Sequence, residues 1–169
     1  MQDLRREIET GSLGKISHGS INVRWNRNKQ YYNQASWRGT WEQDGGCLMN
    51  QCIHGIDLLV WMLGSVKSVY GVTRNRFHKY ISAEDLGLAI IEFQNGSIAT
   101  IEGTTNIYNK NLEETLSIFG ETGTVILGGA SCNKINTWNI QGHDIVVEDE
   151  NVSNIYGNGH ISLYADMID

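Results

Sequence analysis

From residue 66 onward the chain reads as short apolar runs separated by turn signals, and just before them lies its most apolar helical stretch. That order, helix and then strand after strand, limits the fold more than any other feature. Val66 to Phe77 alternates loosely, and Leu86 to Phe93 reads as a mostly buried strand. Asn95-Gly96 is the strongest short hairpin signal, because both residues tolerate positive φ, so Ser97 to Ile107 is expected to return antiparallel. Glu114 to Phe119, Thr124 to Leu127 after a turn at Thr122-Gly123, Asn133 to Ile140 and Asp144 to Glu148 continue the run. A final helix is expected from Gly159-His160.

Upstream, residues 3 to 10 read as a helix closed by Gly11, followed by a strand from Gly14-Lys15. That strand puts Ile16, His18, Ser20, Asn22 and Arg24 on one face and Ser17, Gly19, Ile21, Val23 and Trp25 on the other. Residues 26 to 44 form a polar, irregular loop rich in rings, with Tyr31, Tyr32, Trp37 and Trp41. Residues 47 to 63 then carry apolar side chains at three- and four-residue steps, which predicts one long helix capped by Gly64. The expected fold is α+β: a mixed, largely antiparallel open sheet with helices on one face. The other face is left to a partner, and sheet-to-sheet pairing in a homo-oligomer would bury it.

Composition narrows the function classes. The 169 residues fit one domain spanning 1–169, and 40% hydrophobic against 19% charged residues indicates a globular chain. A net charge of −6 argues against a nucleic-acid partner. No apolar run reaches the roughly 18 residues of a membrane span, and the N-terminus lacks a signal-peptide core. Cys47, Cys52 and Cys132 are odd in number and unpatterned, which reads as free thiols in a reducing cytoplasm. The absence of proline has no physical account. Both ends read as cuts through helices, so a piece of a longer protein is expected.

The stretch Asp44 to Leu59 carries the chemistry. On one helix, Asn50 and His54 would project from the same face, with Asp57 one turn on from His54. An amide, an imidazole and a carboxylate on an apolar helix are costly unless partnered or used, and imidazole suits proton transfer near neutral pH. Each also has a plain explanation: a core or surface histidine, a helix-start cap for Asn50, a loop contact for Asp57. A metal pair of His54 and Asp57 lacks a third ligand, so no metal is expected.

These segments, together with Gly11 to Ile16, Tyr31-Tyr32, Trp37 to Trp41, Gly45-Gly46, Leu48 to Gln51, Ile53-His54, Glu84-Asp85, Phe93 to Gly96, Gly120 to Thr124 and Gly159-His160, resemble the C-terminal domain of the Gfo/Idh/MocA oxidoreductases. The look is that of the bacterial branch oxidising the 3-hydroxyl of UDP-N-acetylhexosamine or hexosaminuronate sugars. The resemblance implies an NAD or NADP-dependent sugar dehydrogenase, with a nucleotide sugar as the expected substrate. It implies that His54 contacts the reacting hydroxyl and that Asn50, where the family has aspartate, orients the sugar or the imidazole. Trp37 and Arg38 match positions reaching the nicotinamide end of the cofactor; Arg24, Tyr31, Tyr32 and Gln51 would line the substrate pocket.

Departures are Cys47 and Cys52 at family glycines and Asn109 at a frequent proline. No Gly-x-Gly-x-x-Gly occurs, so the cofactor is expected mainly on an N-terminal Rossmann domain absent from this chain, along with the family's catalytic lysine. The isolated domain is then expected to be inactive. The competing expectations are a stand-alone, non-catalytic sugar-binding or assembly module, and a hydrolase or lyase using His54 with Asp57.

Overall fold

The computed structural model describes residues 1–142. The expected strand Asp144 to Glu148 and the helix from Gly159 lie outside the described residues. Among the described residues, four helices, α1 (Gln2–Glu9), α2 (Lys29–Tyr32), α3 (Gly46–Asn50) and α4 (Ile53–Leu63), accompany seven strands. These are β1 (Ile16–Arg24), β2 (Val66–Arg74), β3 (Leu86–Phe93), β4 (Ile98–Thr104), β5 (Glu113–Gly120), β6 (Gly123–Gly128) and β7 (Lys134–Ile140). They form one sheet in the order β2-β3-β4-β1-β5-β6-β7, with β1 and β4 parallel and every other pair antiparallel. The α+β expectation of a mixed, largely antiparallel sheet therefore holds.

Period-2 alternation divides the sheet into two faces. Gly19, Ile21 and Val23 of β1 pair in register with Ala99, Ile101 and Gly103 of β4, and all six are buried beneath the helices. Leu59, Met62 and Leu63 of α4 join this core with Leu116, Ile118 and Val125. The opposite face carries His18, Ser20, Asn22 and Arg24, together with exposed Tyr70, Leu88, Ile90 and Ile98.

Local signals behave as their chemistry dictates. α1 ends in a Schellman arrangement: Ser12 N–H bonds Glu7 O and Gly11 N–H bonds Ile8 O, with Gly11 at φ +78°. The Asn95-Gly96 turn joins β3 and β4, with Asn95 Oδ1 accepting from Ser97 N–H at 2.9 Å. Asn109 takes φ +76°, a value that a proline ring cannot reach, so the departure from the family pattern matches the backbone there.

The helix expected over 47–63 is instead two helices. Cys52 N–H bonds Cys47 O, a step of five residues, so a π-type turn at Gln51-Cys52 interrupts the ladder. The cause lies in the sheet. Gly87 and Gly103 pair side by side across β3 and β4, and a Cβ on either would meet Leu48 at 2.5 to 2.7 Å. This glycine recess seats Leu48 and Cys52 and draws α3 down onto the strands.

Candidate active site

α3 starts where two glycines and a glutamate meet. Gly45 and Gly46 adopt φ +73° and +87°, and a Cβ on Gly46 would overlap the Glu84 carboxylate. That carboxylate accepts from Leu48 N–H at 2.9 Å, while Cys47 N–H bonds Glu84 O at 3.1 Å. Glu84 thus satisfies the first donors of α3 from outside the helix. Burial pushes its carboxyl above the ordinary value.

One line of hydrogen bonds runs from this helix into the aromatic loop. Asp44 is buried; its Oδ2 accepts from Gly39 N–H at 2.7 Å and its Oδ1 from Asn50 Nδ2. Asn50 Oδ1 accepts from Gln51 Nε2, which also donates to Tyr31 Oη at 2.8 Å. Asn28 caps α2, its side chain accepting from Tyr31 N–H at 3.0 Å, and so fixes where Tyr31 and Tyr32 stand. Arg38 stacks over the Tyr31 ring at 4.1 Å and over Trp37 at 4.7 Å, and Arg27 lies 5.1 Å from the Tyr31 ring.

The structure therefore brings together Asn50, Gln51, Tyr31, Arg38 and Trp37. Tyr32 is a packing residue: it is buried, its hydroxyl meets Thr105 Oγ1 at 3.2 Å, and its ring lies against His78 and Tyr80. His54 is the second residue of α4 and exposed; among the described residues no hydrogen bond joins it to Asn50 or Asp57. The π-type turn between them ends the single-helix spacing expected for Asn50 and His54, and Asn50 closes α3 rather than capping its start. Arg24 stands apart on the open face of the sheet, held bidentately by Glu102 at 2.8 and 2.6 Å and paired with Glu113. Cys47 and Cys52 are buried with their sulfurs 3.6 Å apart, so both pack the core under the turn.

Three participants were not singled out from the sequence. Asp44 is signalled only by its place before a Gly-Gly helix start. Glu84 enters the sequence reading only within the family-like segment Glu84-Asp85, with no role, and Arg27 carries no local signal, since the rings and N–H groups they meet come from elsewhere in the chain. Among the described residues no group of three or more His, Cys, Asp or Glu gathers as metal ligands would, and no helix is long and apolar enough to cross a membrane.

Comparison with known proteins identifies the family. The family model for the GFO/IDH/MocA C-terminal domain matches residues 1–126. The WlbA dehydrogenase of Bordetella pertussis, solved with NADH and UDP-GlcNAcA, is 41% identical with a TM-score of 0.81, over 85% of this chain and 43% of that one. The WlbA dehydrogenase of Chromobacterium violaceum, solved with the same two ligands, is 37% identical with a TM-score of 0.86, over 99% of this chain and 48% of that one. A levoglucosan dehydrogenase at 20% identity and a TM-score of 0.71, covering 83% of this chain and 40% of that one, shares the fold. No curated protein matches. The chain spans under half the length of these solved relatives. By sequence model and by structure alike, the chain belongs to the GFO/IDH/MocA family and is a C-terminal domain of it.

Proposed function

We propose that this chain is the substrate-binding domain of an NAD-type dehydrogenase that oxidises a ring hydroxyl of a nucleotide sugar, its cofactor held mainly by a separate N-terminal Rossmann domain. The observation that carries this reading is the continuous line Asp44–Asn50–Gln51–Tyr31, built at the entrance to the helix bearing His54. Asp44 takes the Nδ2 hydrogens of Asn50, which fixes that amide with its oxygen toward Gln51. Gln51 and Tyr31 are thereby oriented as a polar wall for sugar hydroxyls. His54, exposed and without a hydrogen-bond partner among the described residues, is available to hydrogen-bond the reacting hydroxyl and take its proton.

The residues at the cofactor end fit a dinucleotide: Trp37 offers an exposed ring and Arg38 a guanidinium without a carboxylate partner among the described residues. A nicotinamide held at this end would supply the hydride-accepting chemistry for the carbinol carbon. The share of this chain is placement, since holding the hydroxyl and its base at contact distance removes a large part of the barrier. By itself the chain is expected to be inactive. The three free thiols accord with a cytoplasmic setting.

The open sheet face is the proposed contact between copies of the chain. In an enzyme containing this domain, His54→Ala is expected to lower kcat about 100-fold or more, the loss associated with a general base. Turnover unchanged by that substitution would remove His54 from the mechanism.

A further inference from the structure

Cys47 and Cys52 stand where the family pattern has glycine, and neither belongs to the line Asp44–Asn50–Gln51–Tyr31. Each departure alone adds one small side chain. Together they put two thiols in contact, with their Sγ atoms 3.6 Å apart. The two backbones meet as well, since Cys52 N–H bonds Cys47 O at 3.1 Å across the π-type turn. The segment closed off between them carries Asn50 and Gln51, and His54 follows two residues beyond Cys52. Cys132 has no such neighbour; its Sγ meets Glu114 O at 3.4 Å.

A disulfide holds its sulfurs at about 2.0 Å, so an approach of about 1.6 Å from the observed 3.6 Å brings this pair to bonding distance. Both thiols are buried, and burial makes a thiol hard to ionise. Cys47 keeps its proton, first through its hydrogen bond with Cys52 and then through burial. Disulfide formation needs only one thiolate, so the thiol that stays protonated is the second to react. Access comes from local opening. α3 spans five residues, α4 has no side-chain cap at Cys52, and the helix ladder is broken between them.

We infer that Cys47 and Cys52 are a peroxide-responsive dithiol, whose disulfide resets the turn bearing Asn50 and Gln51. The Cys52 thiolate attacks one oxygen of hydrogen peroxide, the O–O bond breaks, and hydroxide leaves to become water. Cys52 is then a sulfenic acid. The Cys47 sulfur attacks the Cys52 sulfur, and the sulfenic hydroxyl leaves with the Cys47 proton as a second water. Two thiols are oxidised and one peroxide is reduced to two waters. Because the sulfurs already touch, this second step outruns further oxidation of Cys52. A loop this short constrains little of the unfolded chain, so the bond acts on the turn rather than on the stability of the whole domain. The dithiol stands on its own geometry; only its effect on the sugar-facing amides rests on the substrate-domain reading above.

The 169-residue chain is treated with hydrogen peroxide at pH 8, quenched, alkylated in urea, digested and weighed. A peptide joining Cys47 to Cys52 is expected, lighter by two hydrogens, about 2 Da, and returned to two thiols by dithiothreitol. Dimedone, which traps sulfenic acids, should label neither residue of the unaltered chain. Cys47→Ser is expected to abolish the link and leave Cys52 open to dimedone, while Cys132→Ser should keep the link. The side-chain amide signals of Asn50 and Gln51 should move on oxidation and return on reduction.

The dithiol is overturned if Cys47 and Cys52 stay reduced while Cys132 is oxidised, or if either of them links to Cys132 instead. A link that leaves both amide signals in place overturns its action on the turn. Neither result bears on the dehydrogenase reading, which His54→Ala tests separately. Should Cys47→Ser fail to fold, the peptide masses of the unaltered chain still decide.

Discussion

Replacing Glu114 by glutamine probes the electrostatics beneath α4. Glu114 lies on the helix-facing side of β5, is 5% exposed, and has Oε1 3.0 Å from where a Cβ on Gly55 would stand. Burial disfavours the ionised form and pushes the carboxyl up to about 7 from its ordinary 4.5. Below about pH 4.5 both the folded and the unfolded chain hold the proton, and no ionisation penalty exists. As pH rises toward 7 the unfolded chain releases its proton while the folded chain keeps it, so stability falls. Above 7 both states are ionised and the penalty is complete. A gap of roughly 2.5 units at ~1.4 kcal/mol each sets an upper bound of about 3 kcal/mol.

Glutamine keeps the shape and cannot ionise. The stability of Glu114→Gln relative to the unaltered chain should therefore rise by about 2–3 kcal/mol between pH 5 and pH 8. With a urea slope of roughly 1–3 kcal/mol per molar, the gap between the two unfolding midpoints should widen by about 1 M or more. Taking the difference cancels the other titrating groups. Among them is Asp85, whose carboxyl burial would raise but which the N–H groups of His78, Arg76 and Phe77 hold below the ordinary value. The same gap at both pH values would refute the reasoning.

Three further outcomes are expected. Asp44→Ala leaves Gly39 N–H and Asn50 Nδ2 without their acceptor and should cost about 1–3 kcal/mol in urea unfolding while moving the Asn50 side-chain amide signal; a loss under ~0.5 kcal/mol would show that water replaces the carboxylate. Gly103→Ala fills the recess, where a Cβ stands 2.7 Å from both Cys52 and Leu48, and should cost about 1–3 kcal/mol; a neutral result would mean α3 shifts freely. Ile90→Glu puts a charge in the apolar band with Tyr70 (73% exposed), Leu88 and Ile98, and should reduce the sedimentation coefficient of the assembly; a chain already monomeric before the change would end the proposal of pairing through this face.

The strands were legible because period-2 alternation and the Asn95-Gly96 turn are local signals, and the sheet formed where they pointed. Bounds shifted where side-chain satisfaction intervened. β2 stops at Arg74 rather than Phe77 because the N–H groups of Arg76, Phe77 and His78 turn to the Asp85 carboxylate. The break in the 47–63 helix was illegible, since its apolar steps run on unbroken and the recess that seats it comes from residues 87 and 103. Arg24 looked available for a ligand because its partners stand 78 and 89 positions away. Tyr31 and Tyr32 are adjacent and alike in sequence, yet one faces Gln51 and the other Thr105, a difference set by the one-turn helix that carries them.

The parallel pairing of β1 with β4 joins His18 to Ile98 through Arg24 to Thr104, a constant separation of 80 positions. Everything between, including the aromatic loop, both site helices and the outer hairpin strands, is one excursion pinned at its two ends by a single seam. Such distant contacts carry a large closure entropy and form slowly, so the site belongs to the late stage of folding rather than to a preformed local unit. The stability of that seam then sets how often the site comes apart, and a ligand that needs the assembled loop should slow amide exchange along β1 and β4, well beyond the residues it touches.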